Sequence, residues 1–461
     1  MKNIYKNVDF LDREAIKNYN LNNELLMENA ACVMEQVIDK YASANSMIII
    51  VAGIGNNGAD GLALARRLIG KYNIKIYMPN EPKSELCKIQ KQRVELLGGK
   101  FIDKLFLCDI VVDCLFGSGF YGVLSDEIKE IISQMNSISR LRIACDIPSG
   151  ILDVNMDSKY AFKAHITISM GSLKLAYFSD FAKDFIGDII EANLGISKER
   201  YELETNIKLL ETSDLKLPKR NFQNAHKGNF GHSCIIAGEK EGACILSAMA
   251  AFAFGSGLVS IIGNVKNLPY HIMNTNYLPK NCNAIGFGMG LGERINKYDF
   301  DFIGKIPSVL DADMFYHDGL KKMLENGNII LTPHLKEFAS LLRILNFGSF
   351  EISDIIKNKL DLILDFSKNY PKIPLILKGA NVFIAYNEYI YINNLGRNNL
   401  SKGGSGDVLS GLIVSLLSQG YSLIDASISA SIAHTMASIN LKNTYSLEPL
   451  DLINEIKKLE N

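Results

Sequence analysis

The sequence predicts a two-domain α/β protein in which each domain is built around a largely parallel sheet. Strand-length apolar segments alternate with helical segments in both halves of the chain, and most of these strands end on a polar or glycine-rich cluster. Between the halves, residues 206–224 lose hydrophobic periodicity and gather Thr, Ser, Pro, Lys and Arg, which is typical of a linker. We therefore expect a first domain at residues 1–212, a linker at 213–221 and a second domain at 222–461.

The composition argues against several classes of protein. With 461 residues, of which 48% are hydrophobic and 21% charged, the chain can bury more than one core. A formal net charge of −1 without a long basic run makes nucleic acid or an anionic membrane an unexpected partner. The longest apolar runs, such as 47–52, are strand-sized rather than membrane-sized.

The chain also has the features of a cytoplasmic protein. Residues 1–20 mix charged side chains and contain no apolar core of a secretory signal. The eight cysteines include no Cys-x-x-Cys pair, and several lie in or beside apolar strands. We therefore expect reduced core thiols rather than disulfides or a zinc site.

The first domain opens with an amphipathic helix and a crossover unit. Apolar residues recur with helical period from Leu25 to Ile38. The pattern then changes to a buried strand at 47–52, a polar glycine loop at 53–61, a helix at 62–69 and a second strand at 74–78. Elements in this order form a right-handed crossover unit with parallel strands.

The glycine loop of this unit has the spacing Gly-x-Gly-x-x-Gly, and Glu81 lies near the place where a dinucleotide-binding domain keeps its ribose carboxylate. Two adjacent asparagines and an aspartate make the loop more polar than a turn requires, which indicates that it holds more than a pyrophosphate. An Asx-rich turn before a helix is the alternative interpretation.

Two further strands of the first domain end on acidic residues. One buried strand runs into Asp113, and the next runs into Asp146, with Ser149 shortly after it. Ligands of open α/β sheets bind outside the carboxyl ends of the strands, so we expect these side chains to converge with Asn57. Oxygen ligands without His or Cys suit a hard cation rather than zinc. Each aspartate could instead cap a helix.

The second domain repeats the alternation of strands and helices. It begins with a strand at 234–238, an Ala-rich helix at 242–254 and a strand at 258–262. Three later strands each stop on a polar or glycine cluster, and they lie at 309–310, 329–331 and 375–377. This pattern predicts an α/β sheet with a nucleotide site at one edge.

The stretch Gly-Gly-Ser-Gly-Asp at 403–407 opens an apolar helix that should end at Gly420. Backbone N–H groups at a helix start attract anions, so these glycines predict a phosphate cradle, with Asp407 placed to act as a base on a hydroxyl. The alternative is a flexible loop in which Asp407 only caps the helix. His434 lies among apolar helix residues and is expected in the core, whereas His334 can be a cap or a site residue.

The motifs of the first half resemble the YjeF N-terminal family, the NAD(P)H-hydrate epimerases, which have a Rossmann-like three-layer fold with a parallel sheet. The matching segments are 27–30, 56–61, 113–119 and 146–150. The resemblance implies a potassium ion bound by Asn57, Asp113 and Ser149. It also implies that the hydrated dinucleotide contacts Asn56, Asn57, Gly58, Ala59, Asp60, Gly117, Ser118, Gly119, Phe120, Tyr121, Gly122, Val123 and Asp146, the last acting on the reacting ring. Ala59 replaces the family's usual glycine, which requires a φ below zero or mild strain.

The second half resembles the YjeF C-terminal family, the NAD(P)HX dehydratases, which have a ribokinase-like α/β fold. The matching motifs, in the family's order, are 226–232, 286–290, 310–313, 331–334, 377–380 and 403–407. The resemblance implies that an adenine nucleotide contacts Lys378, Gly379, Ala380, Asn381, Val382, Gly403, Gly404, Ser405 and Gly406. It implies that the hydrated dinucleotide contacts Ala243, Gly288, His334 and Asp407. Phe287 and Leu335-Lys336 depart from the family's usual Pro and Pro-Gly, which puts the shape of the substrate side in question.

Together, the resemblances imply a bifunctional metabolite-repair enzyme. Its substrates would be NADH and NADPH damaged by addition of water to carbon six of the nicotinamide ring. The first domain would interconvert the R and S forms, and the second would dehydrate the S form with ADP, giving AMP and phosphate. Asp407 would be the base, with Mg²⁺ screening the phosphates. Asp146 would either stabilise a cationic ring or protonate the departing hydroxyl.

The fused arrangement resembles bacterial members of these families, which use ADP, although no residue shows the choice between ADP and ATP. A homo-oligomer is also expected. An alternative function is a small-molecule, vitamin-type kinase fused to a dinucleotide- or protein-binding module, because such kinases share the glycine cradle and its aspartate. A hydride-transferring dehydrogenase ranks lower, since two nucleotide sites are predicted.

Overall fold

A computed structural model of the chain describes residues 1–120, 122–151, 160–292 and 302–460. The chain divides into two compact units, of which the first spans residues 3–205 and the second spans residues 206–461 with the first two residues. This division lies before the expected end of the first domain at residue 212. The reason is that Ile207–Leu209, within the predicted loss of periodicity, forms a strand that pairs in parallel with Tyr389–Asn393.

The first unit alternates strands and helices along most of its length. Its strands are β1 (Lys2–Tyr5), β2 (Met47–Ala52), β3 (Asn73–Tyr77), β4 (Phe101–Ile102), β5 (Cys108–Cys114), β6 (Ser139–Cys145), β7 (Ile166–Met170), β8 (Leu173–Lys174) and β9 (Asp188–Ala192). Its helices are α1 (Asp9–Tyr19), α2 (Asn23–Asp39), α3 (Asn56–Leu68), α4 (Glu85–Leu96), α5 (Asp126–Ser137) and α6 (Lys198–Tyr201).

The main sheet of this unit has seven strands in the order β4-β3-β2-β5-β6-β7-β9, all parallel. Ile48 and Ile50 of β2 pack in a core with α2, α3 and α4, whereas Ile49 and Val51 pack on the other face with α5. Successive strand residues point to opposite faces, so both faces are buried and the three-layer Rossmann-like prediction is confirmed. Because β2, β5 and β6 are neighbours, the loops that follow them share one edge.

The second unit is also α/β. Its strands are β10 (Ile207–Leu209), β11 (His232–Ile236), β12 (Leu258–Ile262), β13 (Met273–Thr275), β14 (Ala284–Phe287), β15 (Ser308–Leu310), β16 (Ile329–Leu331), β17 (Leu375–Leu377), β18 (Val382–Tyr386) and β19 (Tyr389–Asn393). Its helices are α7 (Glu241–Ala253), α8 (Leu320–Leu324), α9 (Leu335–Ile344), α10 (Ile352–Asn369), α11 (Ser405–Ser418), α12 (Leu423–Asn440) and α13 (Pro449–Ile456).

The sheet of the second unit runs in the order β13-β12-β11-β14-β15-β16-β17-β18-β19-β10. Pairing is parallel from β13 to β17, and β18 is antiparallel to both of its neighbours. Residues of α7, α11, α12 and α13 bury one face of the sheet. Almost every residue of α11 is buried, and Gly420, with φ of 87°, follows the end of this helix as predicted.

The prediction of a loop over residues 53–61 is wrong in its second half, because α3 begins at Asn56 rather than at Leu62. Gly55 is the extended residue before the helix, and a Cβ on Gly58 would lie 1.9 Å from the Gly53 carbonyl oxygen. The glycine therefore permits close packing inside the first helical turn rather than a loop. Ala59 lies within this helix and is fully buried. Because residues of an α-helix have a φ below zero, its methyl group causes no backbone strain.

All eight cysteines are free thiols. Within the described residues, none of the helices combines the length and the hydropathy that crossing a membrane requires.

Candidate functional sites

In the first unit, the end of β5 and the loop after β6 are joined through Asp113. This carboxylate is fully buried and accepts hydrogen bonds from the Ser149 backbone N–H at 2.7 Å and from its hydroxyl at 2.7 Å. The Leu115 N–H also donates to Asp113 at 3.1 Å, and the Phe116 N–H donates to the Ser149 hydroxyl at 3.2 Å. The predicted convergence of Asp113 and Ser149 is thus found in the structure.

Asn57 completes this arrangement from the first turn of α3. Its side-chain N–H donates to the Phe116 carbonyl at 2.9 Å, which leaves its amide oxygen available as an acceptor. Burial raises the pKa of Asp113 to about 6, although the hydrogen bonds from Ser149 and Leu115 lower it, and no cation in the described residues pairs with this carboxylate. A carboxylate, an amide, a hydroxyl and nearby carbonyl oxygens form a donor set that suits a hard cation.

Asp146 lies next to this cluster at the carboxyl end of β6. One of its oxygens accepts a hydrogen bond from the Ser118 N–H at 2.8 Å, and the other is 2.7 Å from the Lys174 ammonium. Burial alone would raise the pKa of Asp146, but Lys174 and the Ser118 N–H lower it below its usual value. Asp146 has a left-handed backbone, with φ of 67°, and its carboxylate contacts Lys174 and the Ser118 N–H rather than the first turn of a described helix.

The other predicted epimerase-site residues differ in burial and in contacts. Asp60, in the second turn of α3, lacks a hydrogen-bond partner within the described chain, and burial with the nearby Asp146 charge raises its pKa well above the usual range. The side chain of Phe120 packs against Phe116, whereas Val123 is exposed. Gly117, Ser118 and Gly119 lie between Phe116 and Phe120 in the sequence, and Gly122 precedes Val123. Tyr121 lies outside the described residues.

In the second unit, the predicted cradle is the start of α11. Gly404 has φ of 91° and precedes the helix, and an added Cβ there would lie 2.6 Å from the Pro449 ring. Gly403 has open space around it, and Gly406 faces only Lys378, whose ammonium would be 3.6 Å from an added Cβ. Asp407 is the third residue of the helix, so the structure excludes its interpretation as the N-cap.

Lys378, at the end of β17, faces this helix start. Its ammonium is 2.8 Å from one oxygen of Asp311 and 3.8 Å from Glu337. The other oxygen of Asp311 accepts a hydrogen bond from Ser410 of α11 at 2.7 Å. Burial alone would lower the pKa of Lys378, but the carboxylates of Asp311, Glu337 and Asp407 raise it. Asp311, which follows β15, therefore connects to Ser410 of α11 and to Lys378 after β17 through its two oxygens.

His334 is the N-cap of α9 and accepts hydrogen bonds from the Lys336 and Glu337 N–H groups at 3.1 and 3.4 Å. The Glu337 carboxylate accepts from the His334 N–H at 2.8 Å, which closes a capping box. Burial raises the pKa of Glu337 to about 7. His334 thus serves as a cap, and its backbone also bridges to Lys378, so it remains at the predicted site.

Burial also raises the pKa of Asp407 to about 6, with a further contribution from Asp311. A carboxylate with a raised pKa near a helix start is suited to accept a proton. His434 is buried as expected, and its Nε2 lies 3.0 Å from the Ser405 carbonyl oxygen. This histidine therefore also supports the first turn of α11, a contact that its apolar neighbours do not indicate.

The structure brings most of the predicted dehydratase residues together. Gly288 packs on Asp311, where an added Cβ would lie 1.8 Å from its carbonyl oxygen, and Ala243 lies beside Gly290 two residues further on. Gly379 and Ala380 form a bend after Lys378, Asn381 is buried, and Val382 begins β18.

Sequence reasoning assigned no role to three charged residues of these sites. Asp311 and Glu337 stood in or beside recognised motifs, but only the folded chain shows that both face Lys378. Lys174 is buried in the structure. In the sequence, the only indication of a role is its position between two apolar residues.

The comparisons with known proteins agree with this architecture. Residues 23–176 match the family described as YjeF-related protein N-terminus, and residues 233–458 match the family described as NAD(P)H-hydrate dehydratase. The bifunctional NAD(P)H-hydrate repair enzyme Nnr of Helicobacter pylori is 43% identical over 100% of both chains. The enzyme of the same name from Dictyoglomus turgidum is 30% identical over 96% of this chain and 95% of its own.

Among solved structures, the ADP/ATP-dependent NAD(P)H-hydrate dehydratase from Bacillus subtilis, co-crystallised with ATP and Mg²⁺, matches with a TM-score of 0.47 and 20% identity. The match covers 55% of this chain and 98% of that one.

The fold and the sites define a two-unit α/β protein with an oxygen-rich cluster in the first unit and a glycine-rich helix start beside Lys378 in the second. The full-length similarity is decisive for the family. The chain belongs to the family of bifunctional NAD(P)H-hydrate repair enzymes.

Proposed function

We propose that the chain repairs hydrated NADH and NADPH in two steps. The first unit interconverts the R and S forms of the hydrate, and the second unit dehydrates the S form with an adenine nucleotide. This assignment is supported by 43% identity to a bifunctional repair enzyme over the whole chain, together with a separate candidate site in each unit.

In the second unit, Asp407 accepts the proton of the ring hydroxyl while a phosphoryl group is transferred to that oxygen. Phosphate then leaves carbon six, carbon five loses a proton, and the double bond of the dihydronicotinamide is restored. With ADP as the donor, the products are AMP and phosphate. The raised pKa of Asp407 and its place in the first turn of α11 support its role as the base.

The backbone N–H groups at 403–406 bind the transferred phosphoryl group and spread its negative charge. Lys378 lies opposite this helix start and adds a positive charge, while the following residues through Val382 contact the nucleotide. Mg²⁺ supplies charge screening on the phosphates when bound, and the Asp311 and Glu337 carboxylates near Lys378 are hard oxygen donors that suit it.

In the first unit, Asp146 acts on the nicotinamide ring while the loops 56–60 and 117–123 bind the dinucleotide. Loss of the hydroxyl as water, with a proton taken up, leaves a C=N⁺ bond at carbon six. Addition of water to the opposite face, with return of the proton, gives the other epimer. Asp146 contributes negative charge or the proton, and its position beside the loop at Ser118 supports either contribution.

The oxygen cluster of Asn57, Asp113 and Ser149 holds K⁺, which supplies a fixed positive charge at the edge of the site. The fully buried Asp113 carboxylate, without a cationic partner in the described chain, is the observation that supports this proposal. We further propose that the protein acts in the cytoplasm as a homo-oligomer.

The observation that carries the proposed function is the position of Asp407 at the glycine start of α11, facing Lys378. An assay with the S form of hydrated NADPH and ADP tests it. We expect equal amounts of NADPH, AMP and inorganic phosphate. A stable phosphorylated dinucleotide without NADPH would instead indicate a small-molecule kinase.

A further inference from the structure

Lys174, on the short strand β8, is buried with 2% of its surface exposed. Its ammonium lies 2.7 Å from Asp146 and also donates hydrogen bonds to the Met170 and Ser172 carbonyl oxygens at 3.1 and 3.3 Å. The Ser169 hydroxyl is a further partner at 3.3 Å. The three donors of this ammonium are therefore directed by the surrounding chain, and the ion pair has little freedom to rearrange.

Asp146 is held on its other sides as well. The Ser118 N–H binds its second oxygen, and the Tyr177 hydroxyl is 2.5 Å from its backbone carbonyl oxygen. Its φ of 67° is an uncommon conformation for a residue other than glycine, and such conformations persist only where the surroundings impose them. The side chain thus has a fixed position at the end of β6.

The other charged or titratable groups around Asp146 do not replace Lys174. Asp12 of α1 and Asp60 of α3 are carboxyl groups whose pKa is raised by burial, and the Tyr201 hydroxyl of α6 donates to Asp12 at 2.6 Å. Burial alone would lower the pKa of Lys174, but Asp146 and Tyr177 raise it above its usual value. Lys174 is consequently the cation that balances Asp146 in a group of acidic side chains.

We infer that Lys174 is a positioning residue for epimerisation, which holds Asp146 as an oriented carboxylate so that Asp146 stabilises the positive charge of the ring rather than protonating the departing hydroxyl. This inference rests on the proposed role of Asp146 and selects one of its two contributions. An ammonium at 2.7 Å and a donated N–H group both favour the ionised form of Asp146, which can stabilise a cationic ring but carries no proton to transfer.

The test measures interconversion of the R and S forms of hydrated NADPH without nucleotide, using the full chain. Lys174→Met is expected to lower the kcat of epimerisation by about a hundredfold, the effect of a misplaced catalytic group, with a smaller change in KM. Lys174→Arg keeps the charge and should recover part of the loss. If Asp146 were the proton donor, removal of Lys174 would make its protonation easier, and epimerisation would persist or accelerate.

Two controls separate this role from a structural one. Dehydration of the S form with ADP reports on the second unit and should be unchanged in Lys174→Met, while circular dichroism and limited proteolysis, which should match the wild type, report on folding of the first unit. Lys71→Met removes a surface ion pair of similar length, 2.6 Å to Asp39, and should leave epimerisation unchanged.

Double variants keep the test decisive even if Lys174→Met is unstable. In an Asp146→Asn background, Lys174→Met should cause no further loss of epimerisation, because the two residues act as one unit. The inference is overturned by an epimerisation rate near that of the wild type in Lys174→Met, or by an equal loss in both backgrounds. Full activity of Asp146→Asn would instead remove the proposed role of Asp146 itself.

Discussion

At the scale of single residues, the two sites contain buried carboxylates whose partners differ. Asp146 is paired with Lys174 and has a lowered pKa, whereas burial raises the pKa of Asp113 and of Asp407, each to about 6. Because the pKa of Asp146 is lowered and those of Asp113 and Asp407 are raised, Asp146 stays ionised to a lower pH than the other two carboxylates. Each shift has a consequence that can be measured.

The pKa of Asp407 predicts the pH dependence of dehydration. A general base must be unprotonated, so kcat/KM for the S form with ADP should fall about tenfold per pH unit below pH 6 and level off above it. Asp407→Asn should lose about 10²–10⁴-fold in rate and lose the dependence on this group. A pH–rate profile over about two units on either side of pH 6 checks this. A flat wild-type profile would contradict the role of Asp407.

The pKa of Asp113 predicts how K⁺ stabilises the protein. Because the folded state raises this pKa to about 6, ionising Asp113 lowers the stability as the pH increases from the unfolded value near 4 to about 6. A bound cation offsets that loss, so K⁺ should raise Tm more above pH 6 than well below it. Thermal unfolding in KCl, compared with tetramethylammonium chloride at equal ionic strength, measures the difference.

Two aspartate variants control for the cation experiment. Asp113→Asn should abolish the specific effect of K⁺, whereas Asp126→Asn, at an exposed carboxylate on α5, should retain it. Equal stabilisation of the wild type and Asp113→Asn by K⁺ would place the cation elsewhere.

At the scale of elements, the start of α3 shows what the sequence could and could not predict. The strands were recognised because continuous apolar runs are a local signal, and β12, β16 and β17 have the expected bounds. The start of α3 was placed too late because its glycines have the composition of a loop. Their role depends on contacts with Gly53, which no local pattern reveals.

The glycines at the start of α3 predict unequal effects of adding one methyl group. Gly58→Ala places a Cβ 1.9 Å from the Gly53 carbonyl oxygen and should lower the free energy of unfolding by at least about 1–3 kcal/mol. Gly55→Ala has no atom within 4 Å of the added group and should have a small effect. Urea unfolding of both variants tests this, and an equally small effect of Gly58→Ala would show that α3 begins differently.

The same limit applies to the candidate sites. The glycine cradle and the aspartates after the strands were predictable, because residue type, spacing and strand ends are visible along the chain. Lys174 could not be assigned, since its partner Asp146 lies on another strand and only the folded chain brings them to 2.7 Å. Asp311 and Glu337 could not be assigned for the same reason, because their common partner Lys378 is distant from both in the sequence.

At the scale of the whole molecule, the chain contains two units, each with its own candidate site. Each step of the proposed repair uses residues of one unit, so the two activities should be separable by mutation. The first unit supplies the second with substrate of the required configuration, and this relation explains why the two functions are useful on one chain.

Two variants test the separation. Asp146→Ala should dehydrate the S form at the wild-type rate and clear the R form only as fast as it epimerises spontaneously. Asp407→Asn should equilibrate the two forms without producing NADPH. A mixture of both variants should clear both forms, as monitored by near-ultraviolet absorbance and by chromatography of the epimers. Loss of both activities in either variant would contradict the assignment of one step to each unit.

The most direct test of the repair function is incubation of the full chain with both forms of hydrated NADPH, with and without ADP. Without ADP, the epimer ratio should reach equilibrium faster than in buffer, and no NADPH should form. With ADP, both forms should disappear and NADPH, AMP and inorganic phosphate should appear in equal amounts. Epimers that interconvert no faster than in buffer, or consumption of ADP without NADPH, would contradict the account.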